Sequence, residues 1–187
     1  MKNAFAILCT LTLSACTMGK FDRYPGQAQL EFPSHMTGVY YLVLPSNITG
    51  KKTIGIDTVF YIINKTDVVI KDSSKIEIKP LDSNQVLSLV QNNYYVLSTK
   101  DTEDPDYWNC MVYVADKKEI NIYPVIDEQK NTNLKKFFKR KFLRLNNNND
   151  SVFVYEMYDV KFVQYVNKEL KGNHTIRLKK LTSNNIN

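Results

Sequence analysis

The fold is decided by residues 85–123, which read QVLSLVQNNYYVLSTKDTEDPDYWNCMVYVADKKEINIY. Apolar and polar residues alternate there in short runs, and a period of two is typical of a β-strand with one buried face. The clearest run places four residues on one predicted strand face: Trp108, Cys110, Val112 and Val114. Asn92-Asn93 separates two such runs as a predicted turn. The stretch therefore predicts successive antiparallel hairpins.

Similar runs extend the pattern in both directions along the chain. Strands are predicted before the stretch at 39–44, 58–63, 67–71 and 75–79, and after it at 141–145, 151–157 and 175–181. In residues 75–79 the alternation puts Ile76 and Ile78 on one face and three charged residues on the other. The pattern predicts a mainly β fold, an antiparallel meander that closes into a barrel or packs as a sandwich.

One or two short helices are predicted in the C-terminal half. In residues 127–139, Leu134, Phe137 and Phe138 have the spacing of an amphipathic helix. Residues 159–171 predict a second helix with Asp159 as its N-cap. Its apolar stripe is predicted to be Val160, Val163, Val166 and Leu170.

The N-terminus has the organisation of a secretion leader. Met1-Lys2-Asn3 is a short positive region, and residues 4–13 are an uncharged, mostly apolar run. A transmembrane helix needs about 20 apolar residues, so this run has the length of a signal-peptide core instead.

Leu13-Ser14-Ala15-Cys16 follows directly and resembles the lipobox of bacterial lipoproteins. The resemblance implies cleavage between Ala15 and Cys16 and a diacylglyceryl group on the Cys16 sulfur. Two or more acyl chains hold a protein stably on a membrane. We therefore expect a lipid-anchored protein of the cell envelope. Position 17 is a threonine, whereas an aspartate there would resemble an inner-membrane retention signal. The outer membrane is therefore favoured as the location. Whether the domain faces the periplasm or the outside stays open.

The chain then divides into a tether and one domain. Residues 1–15 are the predicted signal peptide, 16–36 the lipidated cysteine and a linker, 37–182 a single β-rich domain, and 183–187 a tail. The meander resembles that of lipocalin-like envelope lipoproteins. Gly38-Val39-Tyr40 stands where that family has Gly-x-Trp, with Tyr in place of Trp.

Charge is distributed unevenly along the chain. Residues 17–128 carry a net charge of −4, and residues 129–187 carry +9. The basic part includes a run that could contact an anionic surface: Lys135, Lys136, Lys139, Arg140 and Lys141. Such a run can bind anionic lipids or an acidic polymer, or simply be a solvated surface. A tethered envelope protein seldom meets nucleic acid, so no nucleic-acid partner is expected.

No catalytic, cofactor or metal motif is present in the sequence. The acidic run at residues 101–106 lacks the glycine and glutamate of a calcium loop and is expected to be a solvated turn. His35 and His174 are single and are expected on the surface, and Cys110 is expected to be a buried apolar residue. No cofactor, metal ligand or catalytic residue is therefore predicted.

Three functions remain open. The first is a non-catalytic lipoprotein whose β-domain binds an envelope protein, a glycan or a small apolar ligand. The second is an immunity or inhibitor lipoprotein that blocks a toxin or lytic enzyme. The third is an envelope hydrolase that works with paired carboxylates.

Overall fold

The computed structural model describes residues 19–43, 59–125, 134–145, 151–170 and 176–182. These residues form thirteen strands in one sheet and two helices. The strands are β1 (Lys20–Phe21), β2 (Gln27–Gln29), β3 (Gly38–Val43), β4 (Phe60–Ile63), β5 (Asp67–Lys71), β6 (Ile76–Pro80), β7 (Gln85–Gln91), β8 (Tyr94–Lys100), β9 (Trp108–Ala115), β10 (Glu119–Pro124), β11 (Arg140–Leu145), β12 (Ser151–Tyr155) and β13 (Ile176–Lys180). The helices are α1 (Leu134–Phe137) and α2 (Asp159–Glu169). The prediction of a mainly β fold with one or two short helices is confirmed.

Strand β9 is the point at which the sheet branches. Strand β8 pairs along one edge of β9. The opposite edge is shared, because β1 pairs with Trp108 and Asn109 and β10 pairs from Met111 onward. Beyond β1 a short arm continues through β12 and β11, and beyond β10 a long arm continues through β13, β3, β4, β5 and β6.

The long arm and β7–β9 curl into a half-barrel. Nearly every pair is antiparallel, as predicted for a meander, and β1 with β12 is the parallel pair. Strand β6 pairs with β5, and β7 pairs with β8 and β2, so no ladder joins β6 to β7 within the described residues. The Gln85 side chain bridges this gap by donating from Nε2 to the Lys79 carbonyl at 3.2 Å.

Two apolar cores lie on opposite faces of β8 and β9. The inner core, inside the curl, includes Tyr95, Leu97 and Tyr113. The outer core includes Val96 and Cys110 and is covered by α2. Successive residues of β8 are therefore buried on alternate faces, and this explains why its sequence, Tyr-Tyr-Val-Leu, is apolar at every position.

The predicted linker belongs in large part to the folded domain. From Gly19 to Met36 the chain contributes β1 and β2, and Phe21 and Met36 are fully buried. Phe21 packs edge-on against Phe138 at 5.3 Å between ring centroids. Burying a phenylalanine stabilises a fold by about 2–3 kcal/mol, so apolar residues placed among glycines and prolines are enough to dock this segment. The folded domain thus begins before the predicted residue 37.

The two helices differ from their predicted forms. Within the described part of residues 127–139, helix is limited to Leu134–Phe137. Helix α2 begins after Tyr158, and Asp159 is not its N-cap; instead its carboxylate accepts hydrogen bonds from Arg23 and from the Gly26 amide. Val160 is exposed, and the buried face of α2 is formed by Phe162, Tyr165 and Val166. Val166 and Leu170 of the predicted stripe are buried, and Phe162 and Tyr165 join them because their rings pack against Phe138.

Candidate functional site

The predicted lipidation site lies outside the described residues. Cys16 and Ala15 precede Gly19, where the described chain begins. Among the described residues, no helix is both long and apolar enough to cross a bilayer. The cleavage and acylation at Cys16 therefore stay predictions.

All five predicted basic residues are exposed, and they lie close together along the chain. Lys135 and Lys136 lie on α1, Lys139 follows it, and Arg140 and Lys141 begin β11. Strand β11 pairs with β12 alone among the described strands, so it is an edge of the sheet. We call the surface made by these five residues, together with Phe142 and Leu145, the basic edge.

One carboxylate lies among these cations. Glu156 accepts from Lys141 at 2.8 Å and forms an ion pair with Lys139 at 3.4 Å. The hydrogen bond from Lys141, then that from Tyr158, and the contact with Lys139 lower the pKa of Glu156 to about 2. Glu156 is therefore ionised at neutral pH and offsets one positive charge, which leaves the basic edge strongly positive.

Apolar side chains are interleaved with the cations. Phe142 is 60% exposed and Leu145 is also exposed. The Arg140 guanidinium lies over the Phe153 ring at 3.7 Å, and Phe142 packs edge-on against the same ring. The pairing of β11 with β12 puts Arg140, Phe142 and Phe153 on one face. The basic edge therefore combines positive charge with exposed apolar side chains.

The acidic run forms the predicted turn, between β8 and β9, and four of its six residues are exposed, but Asp101 and Asp104 belong to an ion-pair network that the sequence does not predict. Lys20 donates to Asp101 at 2.8 Å and to Asp104 at 2.7 Å, and all three side chains are largely buried. Arg144 binds Glu103 and Asp104 from the other side. This network ties β1 and β11 to the loop before β9, so its carboxylates serve the fold. Among the described residues, no group of acidic, histidine and cysteine side chains could hold a metal ion.

The other residues considered for chemistry are buried or isolated. Cys110 is fully buried, as predicted, and burial raises the pKa of its thiol to about 12 despite a contact with Ser98. His35 is exposed, as predicted, with its ring near that of Tyr95. His174 lies outside the described residues.

Several tyrosines fill the inside of the half-barrel. Tyr40, Tyr95 and Tyr113 are buried in the inner core, where the Tyr40 hydroxyl donates to the Met36 carbonyl. Burial raises the pKa of Tyr61 to about 12. These rings pack against the protein's own side chains, so they serve as core residues and not as stacking platforms for a ligand.

The structure shows a second surface that sequence reasoning missed. On β3–β6, the side opposite the inner core is largely apolar, and we call seven of its residues the outer face: Val39, Tyr41, Phe60, Ile62, Val69, Ile76 and Ile78. Residues directly opposite each other in antiparallel strands share a face. Val39, Ile62, Val69 and Ile78 therefore form a straight row across all four strands.

The outer face is open to solvent to different degrees. Ile76 and Ile78 are 62% and 64% exposed, and the other five residues are half-buried. None of the seven belongs to either core. The predicted alternation in β6 is confirmed, but its apolar side is the exposed one. Strands β4 and β5 are apolar at successive positions. This pattern indicates that both faces of the sheet are apolar there, so that the face opposite the inner core also favours burial.

Comparison of the chain with protein-family models, with curated proteins and with solved structures finds no match.

Proposed function

We propose that this protein is a lipid-anchored, non-catalytic binding protein of the bacterial cell envelope. The support for the anchor is the order of the leader: a positive start, an apolar run, and Leu13-Ser14-Ala15-Cys16. Thr17 favours the outer membrane as its address. The anchor would hold the half-barrel beside a bilayer, where the domain binds its partner.

The observation that carries the binding function is the row Val39, Ile62, Val69 and Ile78. Four strands spaced about 4.8 Å apart make this row about 14 Å wide. Monomeric proteins rarely expose contiguous apolar patches of this kind unless they bind another molecule. The outer face is therefore the best-supported binding surface.

A partner protein suits this surface better than a small ligand or a glycan. The face lies on the outside of the curled sheet and, within the described residues, encloses no cavity, whereas small-ligand sites are concave pockets. The space inside the half-barrel is filled by buried side chains such as Leu87, Leu97 and Ile120. Lys71 and Arg177 are exposed on the same side of the sheet, where Arg177 forms an ion pair with Glu119, so charged residues of both signs flank the apolar row.

Two features support a non-catalytic role. The Cys110 thiol is protonated at neutral pH because burial raises its pKa, and a thiol needs to ionise to act as a nucleophile. The carboxylates at Asp101 and Asp104 are held by Lys20, so they do not present the free acid–base pair that a glycosidase uses.

The binding proposal is tested by site-specific photo-crosslinking in intact cells. A photoreactive residue replaces Ile78 in one variant and Leu30, an apolar residue off the outer face that is even more exposed, in the control. We expect a defined protein to crosslink at position 78 and not at position 30. Adding Ile62→Lys to the position-78 variant should abolish the crosslink, and circular dichroism should show that the domain is still folded. Equal crosslinking at both positions would remove the outer face as the binding surface.

The anchor is tested separately by labelling cells with radioactive palmitate. The natural chain should incorporate the label, and Cys16→Ala should accumulate as an unlabelled, uncleaved precursor. Label retained in the Cys16→Ala variant would contradict the assignment.

A further inference from the structure

The tether between the proposed lipid and the folded domain is very short. Gly19 is buried, and its amide donates to the Val125 carbonyl at 2.9 Å. Cys16 lies three residues earlier, and three extended residues span at most about 11 Å. If Cys16 is acylated, as the proposed function holds, the bilayer surface must lie close to Gly19.

Gly19 lies directly beside the start of the basic edge. A Cβ atom at Gly19 would come within 2.8 Å of Leu134 Cδ1, so the glycine backbone packs against the first residue of α1. Lys135 and Lys136 follow Leu134 immediately and are exposed. The next residues after Gly19 form β1, which pairs with β12, and β12 pairs with β11. The tether therefore leaves the domain at the basic edge.

We propose that the basic edge docks on the anionic lipid headgroups of the membrane that holds the Cys16 lipid. The charge is complementary, because the basic edge carries five cations and Glu156, which pairs with Lys139 and Lys141, offsets only one of them. Phe142 and Leu145 are exposed beside these cations and enter the interfacial layer, as apolar residues next to lysines do in surface-binding segments. A tether of about 11 Å makes the docking intramolecular, so weak contacts at each cation are enough.

This docking orients the whole domain. The basic edge belongs to α1 and the short arm of the sheet, whereas the outer face belongs to the far end of the long arm. Docking through the short arm leaves the outer face to be presented as a separate surface for a partner.

The test uses the mature acylated protein in vesicles and follows backbone hydrogen exchange of residues 139–145. One set of vesicles contains phosphatidylglycerol and phosphatidylethanolamine, and the other is phosphatidylcholine alone. We expect exchange to slow about tenfold in the anionic vesicles. Lys135→Glu with Lys136→Glu should abolish that protection, whereas Lys117→Glu with Lys118→Glu, an adjacent exposed pair in the β9–β10 turn, should leave it intact.

Mass spectrometry of the Cys16 peptide from the same sample separates the two ideas. Acylated protein with equal exchange in both vesicles, or equal effects of the two lysine pairs, would overturn the docking while the anchor stands. If soluble polyphosphate slows hydrogen exchange of residues 139–145 as strongly as vesicles do, the basic edge binds an acidic polymer, and the proposal of docking on lipid is also overturned. An unmodified Cys16 would overturn the anchor and the docking together.

Discussion

Replacing Lys20 with methionine should destabilise the domain through the network that holds β1. Lys20 donates to two carboxylates at 2.8 and 2.7 Å, and the Lys20 and Asp101 side chains are only 13% and 12% exposed. Breaking a fully buried pair costs about 3–5 kcal/mol, and an exposed pair contributes at most about 1 kcal/mol. For this partly buried network we expect the free energy of unfolding to fall by about 2 kcal/mol, measured by urea denaturation at pH 7.

The loss should depend on pH in a defined direction. Burial opposes ionisation of Asp101, yet hydrogen bonds from Lys20 and Asn109 hold its pKa below the ordinary 3.8. A carboxyl group with a lowered pKa stabilises the fold above its ordinary pKa, and this contribution is lost as the pH falls through the lowered value. The difference between wild type and Lys20→Met should therefore be full at pH 7 and should shrink below about pH 3.8.

Lys65→Met is the matched control. Lys65 pairs with Glu31 at 3.8 Å, and these side chains are 77% and 57% exposed. This substitution should change the free energy of unfolding by less than about 0.5 kcal/mol. Equal losses in the two variants, or a Lys20→Met loss that stays constant down to pH 2, would refute the reasoning.

Three further outcomes are expected. At pH 8 a thiol reagent should modify Cys110 in the folded, acylated protein at least about a hundredfold more slowly than in the urea-unfolded protein. The reason is that burial raises the pKa of the Cys110 thiol to about 12. Equal rates would contradict the burial of Cys110. Lys141→Ala should raise the pKa of Glu156 from about 2 toward its ordinary value in a carbon-detected NMR titration, whereas Lys168→Ala should leave that pKa unchanged. Phe21→Ala should lower the free energy of unfolding by about 3–5 kcal/mol and Phe142→Ala by less than about 0.5 kcal/mol; similar losses would mean that β1 is not part of the core.

Strand positions are largely predictable here because each depends on a few neighbouring residues. The run around Trp108 was expected to be a strand, and β9 spans Trp108–Ala115. Asn92-Asn93 was expected to be a turn and lies between β7 and β8, with Asn92 in the left-handed region at a φ of 42°. A period of two and a turn signal are local properties, so one sequence is enough to read them.

The packing of the N-terminal segment could not be predicted in this way. Gly19, Pro25 and Gly26 make residues 17–33 look like a linker, but Phe21 inserts between Phe138 and Phe162. These contacts join residues more than a hundred positions apart. Nothing in the local pattern distinguishes a phenylalanine that meets such partners from one that stays in solvent.

The two candidate surfaces differ in predictability for the same reason. The basic edge was found because its cations are nearly consecutive, from Lys135 to Lys141. The outer face is assembled from one or two residues on each of four strands, and its existence depends on the register of β3–β6. A shift of one residue in any pair would send those side chains into the inner core instead.

The outer face is left open by the length of α2. Eleven helical residues extend about 16 Å, which covers about three strand spacings, and α2 packs over Val96 and Val112 of β8 and β9. Strands β3–β6 lie at the end of the long arm, on the other side of β9, β10 and β13, and neither described helix contributes to a core there. The sequence nevertheless supplies Ile62, Val69 and Ile78 to that side, residues that solvent would not favour. Within the described part of the chain no helix covers this apolar row, and this is the observation on which the proposed binding surface rests.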